Sequence, residues 1–182
     1  MLAKRDVPTV KNPEYFRDAF LAIQQLVNEG LILAGHDISA GGLITTLLEM
    51  CFANVEGGME IDFSGIAETD IVKLLFAENP GLVIQVADAD KAKMESIFEE
   101  AGVCFMKIGT PSKKRQIAVA HNKRTRLFDI DYMRDVWFDS SYLMDRKQSF
   151  NGCADERLQN YKNQPLRYRF TPEFTGMLSK YG

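Results

Sequence analysis

Residues 35–53 read Gly-His-Asp-Ile-Ser-Ala-Gly-Gly and then LITTLLEMCFA, and this stretch decides the fold. Immediately before it, Leu31 to Ala34 is a short apolar run of the kind that makes a buried strand. The polar, glycine-bearing residues to Gly42 predict a tight turn, and Leu43 to Ala53 predicts a helix. The unit is strand, loop, helix.

Chemistry converges on the loop from His36 to Gly42. Gly41 and Gly42 allow the backbone to approach a ligand closely. Free amides at the start of the next helix favour an anion such as phosphate. Asp37 offers a hard oxygen of the kind magnesium prefers. Ser39 offers a hydroxyl for a phosphate oxygen, and His36 an imidazole suited to proton transfer near neutral pH. The same residue types also build ordinary turns and helix caps, so spacing alone leaves the structural and the phosphate-binding readings both open. A histidine beside an aspartate is more often a hydrogen-bonded pair than a general base.

Working outward, Asn12-Pro13 predicts a capped helix start. Phe16, Phe20, Ile23 and Val27 follow as one buried face, and Gly30 as the left-handed stop. Downstream, Ile61 to Phe63 predicts a strand and Thr69 to Ala77 a helix ended by Asn79-Pro80-Gly81. Glu78, just before that turn, reads as a turn or surface residue. Leu82 to Ala87 predicts a strand, after which Asp88 or Asp90 caps a helix whose inner stripe is Met94, Ile97, Phe98 and Ala101. Val103 to Ile108 and Gln116 to Ala120 predict two more strands joined by a turn at Pro111 to Lys114. The basic residues Lys113-Lys114-Arg115 and Lys123-Arg124-Arg126 read as a solvated face. Strands alternating with helices and then pairing late indicate an α+β sandwich.

From about Ile130 the character changes. Asp131 to Met144 predicts one helix, and the chain beyond Asp145 is polar and aromatic without a clear period. The division expected is residues 1–129 as one domain, with 130–182 as an exit segment that packs on it or leads to a further domain.

The 182 residues carry a formal net charge of −3, which gives no general pull toward nucleic acid or anionic membrane. Cys51, Cys104 and Cys153 are scattered, and neither His36 nor His121 lies at zinc-ligand spacing from them. A reducing, cytoplasmic setting is expected, since Met1 to Asp6 lacks the apolar core of a leader and no apolar run reaches the roughly 20 residues of a membrane span.

The stretch Gly35 to Ala53 resembles the H-D-x-S-D-G-G-L segment of the aminoimidazole ribonucleotide synthase-like superfamily. LFAENPGLVIQV, residues 75–86, is similar to that superfamily's following L-F-x-E…G-x-V-x-V segment. VWFDSSYLMDR and NYKNQPLRYRF resemble the exit from the second synthase-like half of the large phosphoribosylformylglycinamidine synthases. The resemblance implies a three-layer α+β domain, partly ferredoxin-like, like the C-terminal domain of the synthase. It implies a fragment of an ATP-dependent amidotransferase of purine biosynthesis that turns formylglycinamide ribonucleotide into formylglycinamidine ribonucleotide. ATP phosphorylates the amide oxygen, and ammonia from glutamine displaces phosphate. The partners implied are an N-terminal synthase-like domain and a glutaminase domain. The cofactors implied are Mg2+ and ATP or ADP, with Asp37 on the metal and Ser39 on the nucleotide beside Gly41 and Gly42. The family's second aspartate is Ala40 here, and its remaining metal ligands lie in the preceding domain. The glutaminase nucleophile corresponds to none of the three cysteines. The alternative is a stand-alone, non-catalytic protein that binds a nucleotide or a partner domain.

Overall fold

A computed structural model describes residues 10–163. The expectations for Met1 to Asp6, and for the tail sequence from Gln164 onward, lie outside the described residues. The fold is mixed α and β, and among the described residues it has two sheets and six α-helices: α1 (Pro13–Asn28), β1 (Ile32–Asp37), α2 (Gly42–Phe52), β2 (Gly58–Asp62), α3 (Ile71–Phe76), β3 (Leu82–Val86), α4 (Lys91–Glu100), β4 (Gly109–Ser112), β5 (Gln116–His121), β6 (Arg124–Asp129), α5 (Ile130–Gln148) and α6 (Cys153–Asn160). The described residues divide into two compact units, one ending at Asp135 and the other beginning at Val136.

In the first unit β1 and β3 form an antiparallel pair, and four strands in the order β4-β2-β5-β6 form a second sheet. Within the second sheet β2 runs parallel to β5 and antiparallel to β4. Each face of the β1–β3 pair meets a different core. Ile32 and Ile84 pack with Ala22, Leu26, Ile97 and Phe98 of α1 and α4. Val83 packs with Ile44, Leu47 and Leu75 of α2 and α3. This is the expected three-layer sandwich, and the four-stranded sheet covers the α2/α3 core with Ile61, Ile117 and Val119, the last two fully buried.

Several expectations are corrected. In α1 the cap is as read, with Asn12 Oδ1 accepting the Tyr15 amide at 3.0 Å and Gly30 at φ +68°. Its buried face, however, is Ala22 and Leu26, while Phe16, Phe20 and Val27 are exposed. The helix is apolar on two stripes, and the one facing α4 wins. Residues 103–108 are not a strand. Pairing begins at Gly109, where a side chain would strike the Glu60 carbonyl at 2.2 Å, so glycine rather than β-branched residues sets that ladder. The Pro111-Ser112 pair, read as a turn, lies in β4. The charge run from Arg124 is strand β6, and Arg115 is no solvated residue. Its guanidinium donates to the Cys51 and Gly57 carbonyls at 3.0 and 3.3 Å and to Asp131 at 3.1 Å. One arginine thus ties the end of α2, the entry to β2 and the start of α5.

The second unit contains the later turns of α5 and α6, a helix the sequence pattern did not predict. Arg157 forks onto Asp145 at 2.7 and 2.6 Å, Tyr142 donates to Asp155 at 2.6 Å, and Phe138 stacks on Tyr161 with centroids 4.0 Å apart.

Candidate functional site

The loop between β1 and α2 is built by its neighbours. Strand β1 ends at Asp37, paired with Leu82 of β3. One residue on, the Ile38 amide donates to the Gly81 carbonyl at 2.8 Å. The turn Asn79-Pro80-Gly81 and the loop from His36 therefore run side by side.

Gly41 and Gly42 have φ of +86° and +72°, in the left-handed region that side chains disfavour. A Cβ on Gly42 would sit 2.7 Å from the Phe76 backbone and 2.8 Å from the Leu75 carbonyl oxygen. The helix start thus presses directly on the end of α3. A Cβ on Gly41 would collide with the Thr45 hydroxyl.

The amides of both glycines have partners within the chain. Gly41 donates to Glu78 Oε1 at 2.8 Å, and Gly42 donates to the Ser39 carbonyl at 3.0 Å. A carboxylate already faces the start of α2, the polarity that a helix N-terminus prefers. Glu78 is exposed and follows α3, as read, but its bond to the loop had no signal in its local sequence.

His36 is held at both ring nitrogens. Nδ1 donates to the Asp37 carbonyl at 2.8 Å, and Nε2 lies 3.1 Å from Glu49 Oε2. Glu49 is the only charged residue of α2, a signal in retrospect, since a half-buried acid on an apolar helix requires a partner. The buried Thr46 brings its hydroxyl within 3.0 Å of the Asp37 carbonyl and 3.3 Å of the Gly42 carbonyl. The Asp37 backbone is therefore clamped by His36 and Thr46 together. Its side chain is 69 % exposed, with His36 Nδ1 at 3.5 Å.

The structure thus brings His36, Asp37, Ser39, Gly41 and Gly42 onto one loop and adds Glu49, Thr46 and Glu78 as supports. Among the described residues, no three His, Cys, Asp or Glu side chains group closely enough to hold a metal ion. Asp37 fits a cation as a single open carboxylate, and a complete coordination shell needs oxygens beyond those on this loop. No helix among the described residues is long and apolar enough to cross a membrane.

Comparisons with known proteins agree with this architecture. The chain is 32 % identical over 171 residues to human phosphoribosylformylglycinamidine synthase, covering 92 % of this chain and 12 % of that protein. It is 29 % identical over 174 residues to the probable chloroplastic/mitochondrial phosphoribosylformylglycinamidine synthase of Arabidopsis thaliana, again covering 12 % of it. The chain therefore spans about an eighth of the length of these relatives. Among solved structures it is similar to T. maritima PurL complexed with ATP, at a TM-score of 0.60 and 13 % identity, covering 68 % of this chain and 22 % of that one. The same protein complexed with FGAR matches at 0.58 and 14 % identity, covering 68 % and 21 %. At these identities the structures establish the fold. Residues 2–122 match the family model of the AIR synthase related protein, C-terminal domain, and the chain belongs to that family.

Proposed function

We propose that this chain is one domain of a larger ATP-dependent C–N ligase of purine synthesis. The ligase converts formylglycinamide ribonucleotide to formylglycinamidine ribonucleotide with ammonia drawn from glutamine. The chain's part is the loop from His36 to Gly42, which supplies one side of a nucleotide–magnesium site. The N-terminal synthase-like domain supplies the rest, and a glutaminase domain supplies the ammonia.

The observation that carries this reading is Asp37. Its backbone is fixed by Thr46 and His36 while its carboxylate is the open group at the end of β1. Preorganising a ligand's backbone while leaving its oxygens in solvent suits a carboxylate that meets a cation brought by another domain. Ser39, in the turn that follows, offers its hydroxyl to a phosphate oxygen. A phosphate reaches the Gly41 amide only by displacing Glu78. Magnesium, when bound, offsets phosphate charge and orients the nucleotide. His36, engaged by Glu49 and the Asp37 carbonyl, acts as a positioning residue for Asp37 in this reading.

The test is made in the complete enzyme. Asp37→Asn keeps the side-chain volume but removes the charge. It is expected to weaken Mg-ADP binding by titration calorimetry and to lower ATP- and glutamine-dependent turnover of formylglycinamide ribonucleotide. Wild-type values for both would sink the metal assignment.

A further inference from the structure

A second cluster of polar side chains lies outside the loop from His36. Strands β5 and β6 are joined by Asn122 and Lys123, at φ +48° and +61°, a two-residue turn with both residues left-handed. Such turns match the twist of the strands and fix the register. His121 therefore pairs with Arg124, and Val119 with Arg126. Side chains alternate along a strand, so Val119, His121, Arg124 and Arg126 share one face. Val119 and His121 are buried on it, at 0 % and 3 % exposed. Together with Thr69, Ile71 and Asn122, the last three of these line a cleft of about 310 Å³.

Two hydrogen bonds hold the cleft open in one shape. His121 Nε2 donates to the Glu68 carbonyl at 2.9 Å, and Asn122 Nδ2 donates to the Thr69 carbonyl at 3.2 Å. The acids beside it are committed elsewhere. Glu68 takes the Asp70 amide and lies 3.8 Å from Lys73 Nζ, while Asp70 takes the Val72 amide. Among the described residues, neither Arg124 nor Arg126 has a carboxylate within ion-pair distance. Two arginines at alternate positions of one strand, their backbones about 7 Å apart along it, are left lining the cleft.

We propose that this cleft binds a phosphate-class dianion. A single carboxylate would satisfy one guanidinium fork. A phosphate carries the charge and the acceptor oxygens for two, and the Thr69 hydroxyl gives it a third donor. The dianion is either free phosphate or the terminal phosphate of a sugar phosphate. The site shares no residue with the loop from His36, so it stands or falls independently of the nucleotide reading.

The test is an amide and arginine Nε NMR titration of the 182-residue chain at fixed ionic strength. One arm uses inorganic phosphate, a second ribose 5-phosphate and a third chloride. Saturable shifts at Asn122 to Arg126 with a phosphate arm, absent with chloride, are expected. The arm that saturates at the lower concentration identifies the source. Arg124→Gln together with Arg126→Gln should weaken binding at least about tenfold, and the Lys pair, which keeps charge but loses the forks, should recover only part of it. Exposed Arg124→Gln alone, with unchanged hairpin resonances, guards against a folding defect. The proposal is overturned by shifts that do not saturate, that centre elsewhere, or that survive in the Gln variants. Full recovery in the Lys pair would equally overturn it, since diffuse charge would then explain everything.

Discussion

Glu78 and Gly41, 37 residues apart in sequence, are joined by a hydrogen bond of 2.8 Å from the glycine amide to the carboxylate. Two of the segments that carry the family resemblance are thus one physical unit. Residues 35–53 supply the amide, and residues 75–86 supply the carboxylate, the backbone that Gly42 presses on and the Gly81 carbonyl.

Removing the carboxylate isolates that unit's contribution. Glu78→Ala is expected to cost about 1 kcal/mol, the scale of one hydrogen bond, and Glu78→Gln to restore most of it because an amide oxygen still accepts. Urea denaturation of both variants checks this, and an equal loss in the two would mean that charge rather than acceptance matters.

Gly42→Ala should be far worse. The new methyl group meets the Phe76 backbone, which cannot rotate aside, at a φ of +72°. Left-handed strain and overpacking together predict a loss of about 3 kcal/mol. A thermal melt within a degree of wild type would show that the α2–α3 contact yields easily.

The 182-residue chain by itself, with one open carboxylate, is expected to bind Mg-ADP weakly or not at all. Calorimetry giving micromolar affinity that disappears in Asp37→Asn would reveal a site more self-contained than the proposal holds.

In the second unit, Arg157 and, next, Ser149 hydrogen-bond the Asp145 carboxylate and hold its pKa below the ordinary value. A depressed folded-state pKa gives stability that is complete above the unfolded carboxylate value near 4 and is lost as pH falls through the folded one. Carbon-detected NMR should find Asp145 titrating below its free value, and Arg157→Gln should move the midpoint upward. No movement would mean that the fork seen at 2.7 and 2.6 Å does not persist in solution.

Cysteine reactivity offers a last check. Burial, opposed by the charge of Arg115, pushes the Cys51 thiol up, whereas Cys104 and Cys153 are exposed. A thiol reagent near neutral pH should modify two cysteines quickly and Cys51 only on unfolding. Rapid modification of all three would place the end of α2 in exchange with an open form.

The parts legible in the sequence were those where a local rule also decides the tertiary outcome. Asn12 caps because its neighbours leave amides free. The order strand, loop, helix around Asp37 follows from apolar runs and obligatory glycines, although the strand expected to be buried is mostly exposed, Leu33 included. Ile97 and Phe98 lie inward because α4 has a single apolar stripe. Elsewhere the deciding partner was remote. Phe16 and Phe20 differ from Ala22 and Leu26 only in which stripe meets α4. Strand β4, Gly-Thr-Pro-Ser, has only Thr110 as a strand-favouring residue, and its pairing rests on Gly109 fitting against Glu60. Of the candidate site, Asp37, Ser39 and the glycines stood out, and Glu49 carried a signal as the lone charge of an apolar helix, while Thr46 and Glu78 became visible only through the atoms they reach.

The strand order β4-β2-β5-β6 also bears on how the polypeptide is made. Strand β2 lies between two strands that are both encoded far downstream of it. As the nascent chain leaves the ribosome, Gly58 to Asp62 therefore emerges with both edges unpaired and stays so for seconds, until β4 and β5 have emerged as well. During that interval its backbone is open to stray pairing with any other extended segment. A translation pause that comes before β5 has left the ribosome would prolong this exposure, and a later pause would not.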